Sequence, residues 1–396
     1  MKEGWKMVKL GEICETTAGG TPSKTHKEYY EGGKIPWMLS GEVCQKYIYE
    51  VEHYITSEGL ENSSAKLFPI NSVVVAMYGA TAGQVGILKI ETSTNQAVCG
   101  ILPNDKMSPE FLYYYFLYYK DILVAQAVGN AQPNISQQKI KAVEIPLLSL
   151  EEQHRIVGIL DAAFAKIDAL KANAEANLAN AKALFQQVLA QELKPKEGWV
   201  EKKLGEVCEI TSSKRIFKNE YTENGIPFYR TKELKELAHG RNISLELFIS
   251  ESRYNDIKAK FGVPQIGDIL ISAVGTIGET LIIDNVNPFY FKDGNIVWLR
   301  KINGVNSNFL KISIDSIVEK LKSITRGAAY NALTIEKLKE MQIIYPILEE
   351  EQINILFTIQ TLSEKCRCLE QVAQQTIREC DALKQSILRQ AFSGEL

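Results

Sequence analysis

The sequence is poor in the features that usually mark an enzyme. Its seven cysteines are Cys14, Cys44, Cys99, Cys208, Cys366, Cys368 and Cys380, and they are scattered. The close pair, Cys366 and Cys368, sits two apart in a helical pattern and faces two directions. That spacing excludes a zinc site or a disulfide framework, and a reduced, cytoplasmic protein is expected. His26, His53, His154 and His239 have neither metal-ligand spacing nor a triad partner. No phosphate-binding G-x-x-x-x-G-K-[ST] loop exists, since Gly32-Gly33-Lys34 has neither the spacing nor the hydroxyl. No apolar run follows Met1-Lys2-Glu3-Gly4-Trp5-Lys6, so a signal peptide is not expected. The aromatic run at 111–119 ends at Lys120, about half of what a membrane span needs. Arginine is absent from residues 1–150, which carry 13 Lys and 15 acids; residues 200–348 carry 21 Lys plus Arg and 18 acids. With a net charge of −3 overall, the chain is no free-standing nucleic-acid binder. Such affinity would have to come from local patches or partner subunits.

What the chain does contain is itself, twice. Lys2-Glu3-Gly4-Trp5 recurs as Lys196-Glu197-Gly198-Trp199, and Leu10-Gly11-Glu12-Ile13-Cys14-Glu15 as Leu204-Gly205-Glu206-Val207-Cys208-Glu209. Ile35-Pro36-Trp37 is answered by Ile226-Pro227-Phe228, and Thr81-Ala82-Gly83 by Thr276-Ile277-Gly278. Lys139-Ile140-Lys141 returns as Lys337-Leu338-Lys339, and Glu151-Glu152-Gln153 as Glu350-Glu351-Gln352. The order is kept while the offset drifts only slightly, which is the mark of a duplication.

Each copy begins with short strand-like runs, such as Ser72-Val73-Val74-Val75-Ala76 and Asp268-Ile269-Leu270-Ile271-Ser272, punctuated by Gly and Pro. A long helical pattern follows. The first opens on the capping-box signature Ser149-Leu150-Glu151-Glu152 and closes at Pro195; the second has Leu348 in place of the capping Ser. Ile156, Leu160, Ile167, Leu170 and Leu184 recur 199 residues later as Ile355, Ile359, Cys366, Leu369 and Leu383, and Leu362 and Ile387 extend the second series. Spacings of four and three average 3.5 residues, the coiled-coil period. The expected class is α+β: two similar globular domains at 1–148 and 194–347, each followed by a long helix, at 149–193 and 348–396. The two helices are expected to form an antiparallel coiled coil with pseudo-two-fold symmetry, Leu170 meeting Leu369 near the axis. Forty residues of helix make a rod of roughly 60 Å.

Further segments carry a resemblance. Ala18-Gly19-Gly20-Thr21-Pro22-Ser23, Ala80-Thr81-Ala82-Gly83, Thr94-Asn95-Gln96, Ile145-Pro146-Leu147 and the ending Ile387-Leu388-Arg389-Gln390-Ala391-Phe392-Ser393-Gly394 join those above. In content, order and spacing they resemble the DNA-specificity subunit of type I restriction-modification enzymes across essentially the whole chain. The resemblance implies a non-catalytic reader whose two target-recognition domains bind double-stranded DNA with a bipartite, asymmetric target. It also implies two modification subunits, which methylate adenine with S-adenosylmethionine, and two restriction subunits using ATP and magnesium; no cofactor belongs to this chain. The specificity subunit of a type IIB system fits the same residues, and a coiled-coil scaffold without a DNA role is the reading from another class. The second head departs from the pattern, with Thr211-Ser212-Ser213-Lys214-Arg215 for the Gly-Gly-Thr-Pro-Ser run and Gly294-Asn295 where Asn95-Gln96 stands.

Candidate DNA contacts in the first head are Thr21, Ser23, Lys24, Lys27, Tyr30 and Trp37, with a second polar loop at Gln132, Asn134 and Ser136. In the second they are Lys214, Arg215, Arg230, Lys232, Arg241 and Arg326, with Tyr330 and Asn331. Bidentate Arg–guanine is the commonest specific major-groove contact. The first half-site is therefore expected to be read by Lys, Asn, Gln and backbone groups, whereas the second head offers Arg215, Arg230 and Arg326 to guanine. Asn287-Pro288-Phe289-Tyr290 resembles an adenine-methyltransferase loop, but it lacks the second Pro and a preceding Gly-rich motif. A turn into a strand is expected there.

Overall fold

A computed structural model describes residues 5–126, 134–324 and 333–396. The chain divides into two compact units, one of residues 1–176 with 372–396 and the other of 177–371. Both have the same plan, so the duplication read in the sequence is a duplication of fold.

In the first unit a five-stranded sheet runs in the order Thr16–Ala18, Val98–Ile101, Val73–Ala76, Val85–Leu88, Tyr47–Ile48. A smaller sheet holds Tyr54–Ile55, Ile35–Met38, Thr92–Thr94 and Leu67–Phe68. Lys6–Lys9 pairs antiparallel with Glu144–Leu147, closing the head on its own ends. The second unit repeats this: Glu209–Ser212, Ile296–Arg300, Ile269–Ser272 and Thr280–Ile282 form the main sheet, and Trp199–Lys203 pairs with Gln342–Pro346. The central strands are uninterrupted apolar runs because both faces are covered. Val73 and Val75 enter one core, Val74 and Ala76 another.

Two of the repeated motifs prove to be one corner. The Leu10 amide donates to the Val143 carbonyl (2.8 Å), and a Cβ on Gly11 would stand 3.0 Å from the Cβ of Lys141. The second head does the same with Leu204, Met341, Gly205 and Lys339. Glycine is kept where two short helices touch.

The aromatic run at 111–119 lies in helix α1 (Pro109–Ala125), capped by Ser108, and it buries Phe111, Leu112, Tyr114, Tyr115 and Phe116. Among the described residues no helix is long and apolar enough to cross a membrane. The long helices are α2 (Leu150–Glu192) and α4 (Glu349–Ser393); α3 (Ser307–Ile324) is the second head's counterpart of α1. Ser149 caps α2, its hydroxyl accepting from the Glu152 amide at 3.3 Å.

The repeated Glu-Glu-Gln also has a physical reason. Gln153 is fully buried; its Oε1 accepts from the Ser108 amide (2.8 Å), and its Nε2 donates to the Lys106 and Leu148 carbonyls (2.8 and 3.0 Å). Gln352 repeats the joint, accepting from the Asn306 amide (2.6 Å) and donating to the Pro346 carbonyl (2.8 Å). One side chain thus pins the start of each long helix to the loop before its head's own helix.

Within the first unit the start of α2 runs antiparallel to the end of α4, with Lys171 paired to Asp381 (2.7 Å) and Lys384 to Asp168. These pairs set Leu170 level with Ala382 and Leu383. Within the second unit Phe185, Leu189 and Leu193 pack on the core that holds Ile355 and Ile359.

The expected seam needs a correction. Ile156, Leu160, Ile167, Ile355 and Ile359 are buried, and Leu362 and Ile387 are half-buried. Leu170, Leu184, Leu369 and Leu383 are instead exposed, at 51, 45, 55 and 47%. Of the two rows in the expected seam only one is covered, and it continues through Ala174, Ala181, Cys366, Ala373 and Cys380. Small side chains every seventh residue let two backbones approach closely along one line, which leaves the larger leucines at its margin.

Candidate nucleic-acid interface

In the first head several loops leave the main sheet at one end and are stitched together there. The Gly19 amide donates to the Val98 carbonyl (3.1 Å) and the Gly20 amide to Thr94 (2.8 Å). The Met77 amide donates to Ala97 (2.7 Å), the Ile135 amide to Met77 (2.9 Å), and Tyr78 bridges Asn134. The Gly-Gly-Thr-Pro-Ser, Ala-Thr-Ala-Gly and Thr-Asn-Gln segments, far apart in sequence, thereby share one edge. Gly83 closes its loop at φ +79°, in the left-handed region, and donates to the Ala76 carbonyl at 2.8 Å.

The expected contact residues divide into those on this edge and those beneath it. Thr21 lies on it, its hydroxyl donating to the side-chain oxygen of Gln96. Ser23 and Lys24 are exposed beside it, Ser23 sharing a hydrogen bond with Thr25 (2.7 Å), and Lys27 is exposed on the short turn that follows. Asn134 is exposed; Ser136 spends its hydroxyl capping the helix Gln137–Lys141. Trp37 and Tyr30 are corrections, because they hold the loop up from below. Trp37 is buried, with its indole donating to the Gly20 carbonyl at 3.0 Å, and the Tyr30 hydroxyl donates to the Pro22 carbonyl. Gln132 lies outside the described residues. Gln96 and Tyr78, not among the expected contacts, are also exposed on this edge. Gln96 was within reach of sequence reasoning, in the Thr94-Asn95-Gln96 motif.

The second head builds the same edge from different chemistry. The Ala273 amide donates to the Asn295 carbonyl (2.7 Å), as Met77 does to Ala97, so Val274 takes the place of Tyr78 and is likewise exposed. Asn295 therefore corresponds to Ala97, one residue off the sequence expectation, because this loop is one residue longer than in the first head. Arg215 Nε donates to Asp293 Oδ2 at 2.8 Å. Lys214 is exposed, with its ammonium 4.4 Å from the Phe261 ring centre.

Arg230 and Arg241 are held by carboxylates. Arg230 is clasped by Glu233 and Glu246 (2.6 and 2.8 Å), and Lys232 also pairs with Glu246 (2.8 Å). Hydrogen bonds from Lys232 and Arg230 hold the Glu246 carboxyl down at about 2. Arg241 is engaged on two nitrogens by Glu236. Arg230 is therefore a correction as a guanine reader and Arg241 as a DNA contact: carboxylates hold Nε and Nη2 of each. Arg326, Tyr330 and Asn331 lie outside the described residues. Asn287 and Pro288 lie in an irregular segment that leads into the strand Tyr290–Phe291, with Phe289 buried.

Comparison with known proteins agrees with this duplicated arrangement. The family model described as "Type I restriction modification DNA specificity domain" matches twice, at residues 2–179 and 196–378. The MjaIX specificity subunit of Methanocaldococcus jannaschii is 29% identical over 371 residues, covering 86% of this chain and 83% of that one. The EcoR124I/EcoR124II specificity subunit of Escherichia coli is 33% identical over 168 residues, 40% of this chain and 41% of that one. The HsdS subunit of Thermoanaerobacter tengcongensis superposes with a TM-score of 0.60 at 21% identity, covering 100% of this chain and 98% of that one. A chain from a study of complex assembly in a type I system superposes with a TM-score of 0.79 at 22% identity, covering 100% and 99%. Two family matches that together span most of the sequence, each on a head with its own loop edge, place this chain in the type I restriction-modification DNA specificity family.

Proposed function

We propose that the chain reads a bipartite, asymmetric DNA target, one half with each loop edge, and brings an adenine methyltransferase and a restriction translocase to it. The observation that carries this is the pair of edges: alike in backbone, unlike in side chains. Unlike half-sites require such a pair. The chain itself is non-catalytic in this reading. S-adenosylmethionine belongs to two modification subunits, and ATP with magnesium to two restriction subunits. The test is single-molecule sequencing of methylated adenines in the host with and without the gene. One bipartite motif should vanish on deletion; an unchanged methylome would overturn the proposal.

A partner present in two copies needs its seat twice, and each unit offers an equivalent groove. In the first unit a groove of about 420 Å³ lies between α1, the start of α2 and the end of α4, lined by Tyr113, Phe164 and Leu388. In the second a groove of about 960 Å³ lies at equivalent places, lined by Ile312, Ser363 and Leu189. Phe164 and Ser363 are 199 residues apart, as are Leu189 and Leu388. The modification subunit is assigned to these grooves. Filling the larger one by Ser363→Trp, an exposed helix position, should weaken co-purification of the methyltransferase by about tenfold or more. Unimpaired two-to-one assembly of this variant would remove the grooves from the docking surface.

A further inference from the structure

We infer that Thr21–Gln96 in the first head and Arg215–Asp293 in the second are equivalent base-reading pairs, the first selecting adenine and the second guanine. The inference rests on the DNA-reading function proposed above and names its specificity determinants.

Equivalence follows from strand register. Ala76 stands opposite Val98 and Ser272 opposite Ile296, so Val98 matches Ile296. One residue on, Cys99 faces Ala18 and Val297 faces Ser212. Counting three residues out of those strands gives Thr21 in one head and Arg215 in the other. Each reaches across to the loop that enters the central strand, where Gln96 or Asp293 waits. A place that no sequence match aligns thus holds an interacting pair in both heads.

The chemistry of each pair suits one base. Thr21 donates to Gln96 Oε1, which fixes which end of the amide accepts and which donates. One lone pair of that oxygen and the Nε2 hydrogens remain, on an exposed side chain. An acceptor beside a donor in one plane matches the N6 amino group and N7 of adenine in the major groove. In the second head Asp293, only 11% exposed, holds Nε of Arg215, whose side chain is 68% exposed. Among the described residues its two terminal nitrogens have no hydrogen-bond partner, so a pinned guanidinium presents both to solvent. That fork matches O6 and N7 of guanine. Arg230 and Arg241, by contrast, are closed off by carboxylates. Gln96 and Arg215 are the readers; Thr21 and Asp293 are positioning residues that set their planes.

The experiment expresses the chain with its methyltransferase and sequences methylated adenines for the wild type, Gln96→Ala, Thr21→Val, Arg215→Ala and the exchange Thr21→Arg with Gln96→Asp. Gln96→Ala should lower the preference for A·T at one position of one half-site by about ten- to a hundredfold, leaving the other half intact. Arg215→Ala should do the same at one G·C position of the other half. Thr21→Val should relax the position that Gln96→Ala relaxes, which a merely structural role would not single out. The exchange should move that position toward guanine. Unchanged half-site consensus in both alanine variants, with methylation retained, would overturn the assignment. So would a loss spread evenly over every position. A wild-type complex that methylates without sequence preference would instead defeat the underlying reading.

Discussion

Gln352→Ala is expected to lower the stability of the second unit by about 2–5 kcal/mol. The buried amide satisfies two backbone groups at once, the Asn306 amide and the Pro346 carbonyl. Each of these, stripped of its partner away from water, costs about 1–3 kcal/mol. Truncation also leaves a void at the root of α4, adding to the loss. Gln352→Glu is no rescue, since it keeps the acceptor but loses the donor and buries a charge. Urea unfolding followed by hydrogen exchange would place the loss in residues 199–371 and leave the first head's core protected. An equal loss in both units would mean that the joint is not local to its head.

Gly20→Ala is the second large effect, and it falls on recognition. A Cβ there would lie 2.3 Å from the backbone of Ser64 and Ala65, atoms that cannot swing aside. The loop carrying Thr21 must therefore lift, breaking the Gly20–Thr94 hydrogen bond and the support from Trp37. Each base pair no longer discriminated costs about 1–3 kcal/mol of specificity. Loss of two or three positions should therefore cut first-half discrimination by about a hundredfold or more, while second-half discrimination is unchanged. Competition binding of the complex against DNA substituted in one half at a time measures both. Normal first-half discrimination would show that the loop does not hold the reading surface.

Much of this was legible beforehand, and the losses share one cause. The duplication, the strand runs and the long helical pattern were visible because periodicity is a property of sequence itself. Which row of the helical seam is covered was not. A 3.5-residue repeat offers two rows, and the choice fell to Ala174, Ala181 and Ala373, which permit close approach, rather than to the bulkier Leu170 and Leu369. Arg230 and Arg241 looked like readers because only the fold brings Glu233, Glu246 and Glu236 around them. Trp37 looked like a DNA contact until its indole was seen turned onto the Gly20 carbonyl. Gln96 stood in a motif that the sequence displays, but its tie to Thr21 across 75 positions became visible only in the fold.

The two glutamine clasps have an evolutionary reach. Gln153 and Gln352 grip mainly main-chain amides and carbonyls, which every sequence supplies, so neither clasp depends on side chains peculiar to its head. Crossovers at these points could exchange one head for an unrelated one without redesigning the fastening. A chain given the first head twice would keep both fastenings and read the same half-site two times over. New specificities can then arise by trading whole modules, with no need to remodel a loop residue by residue.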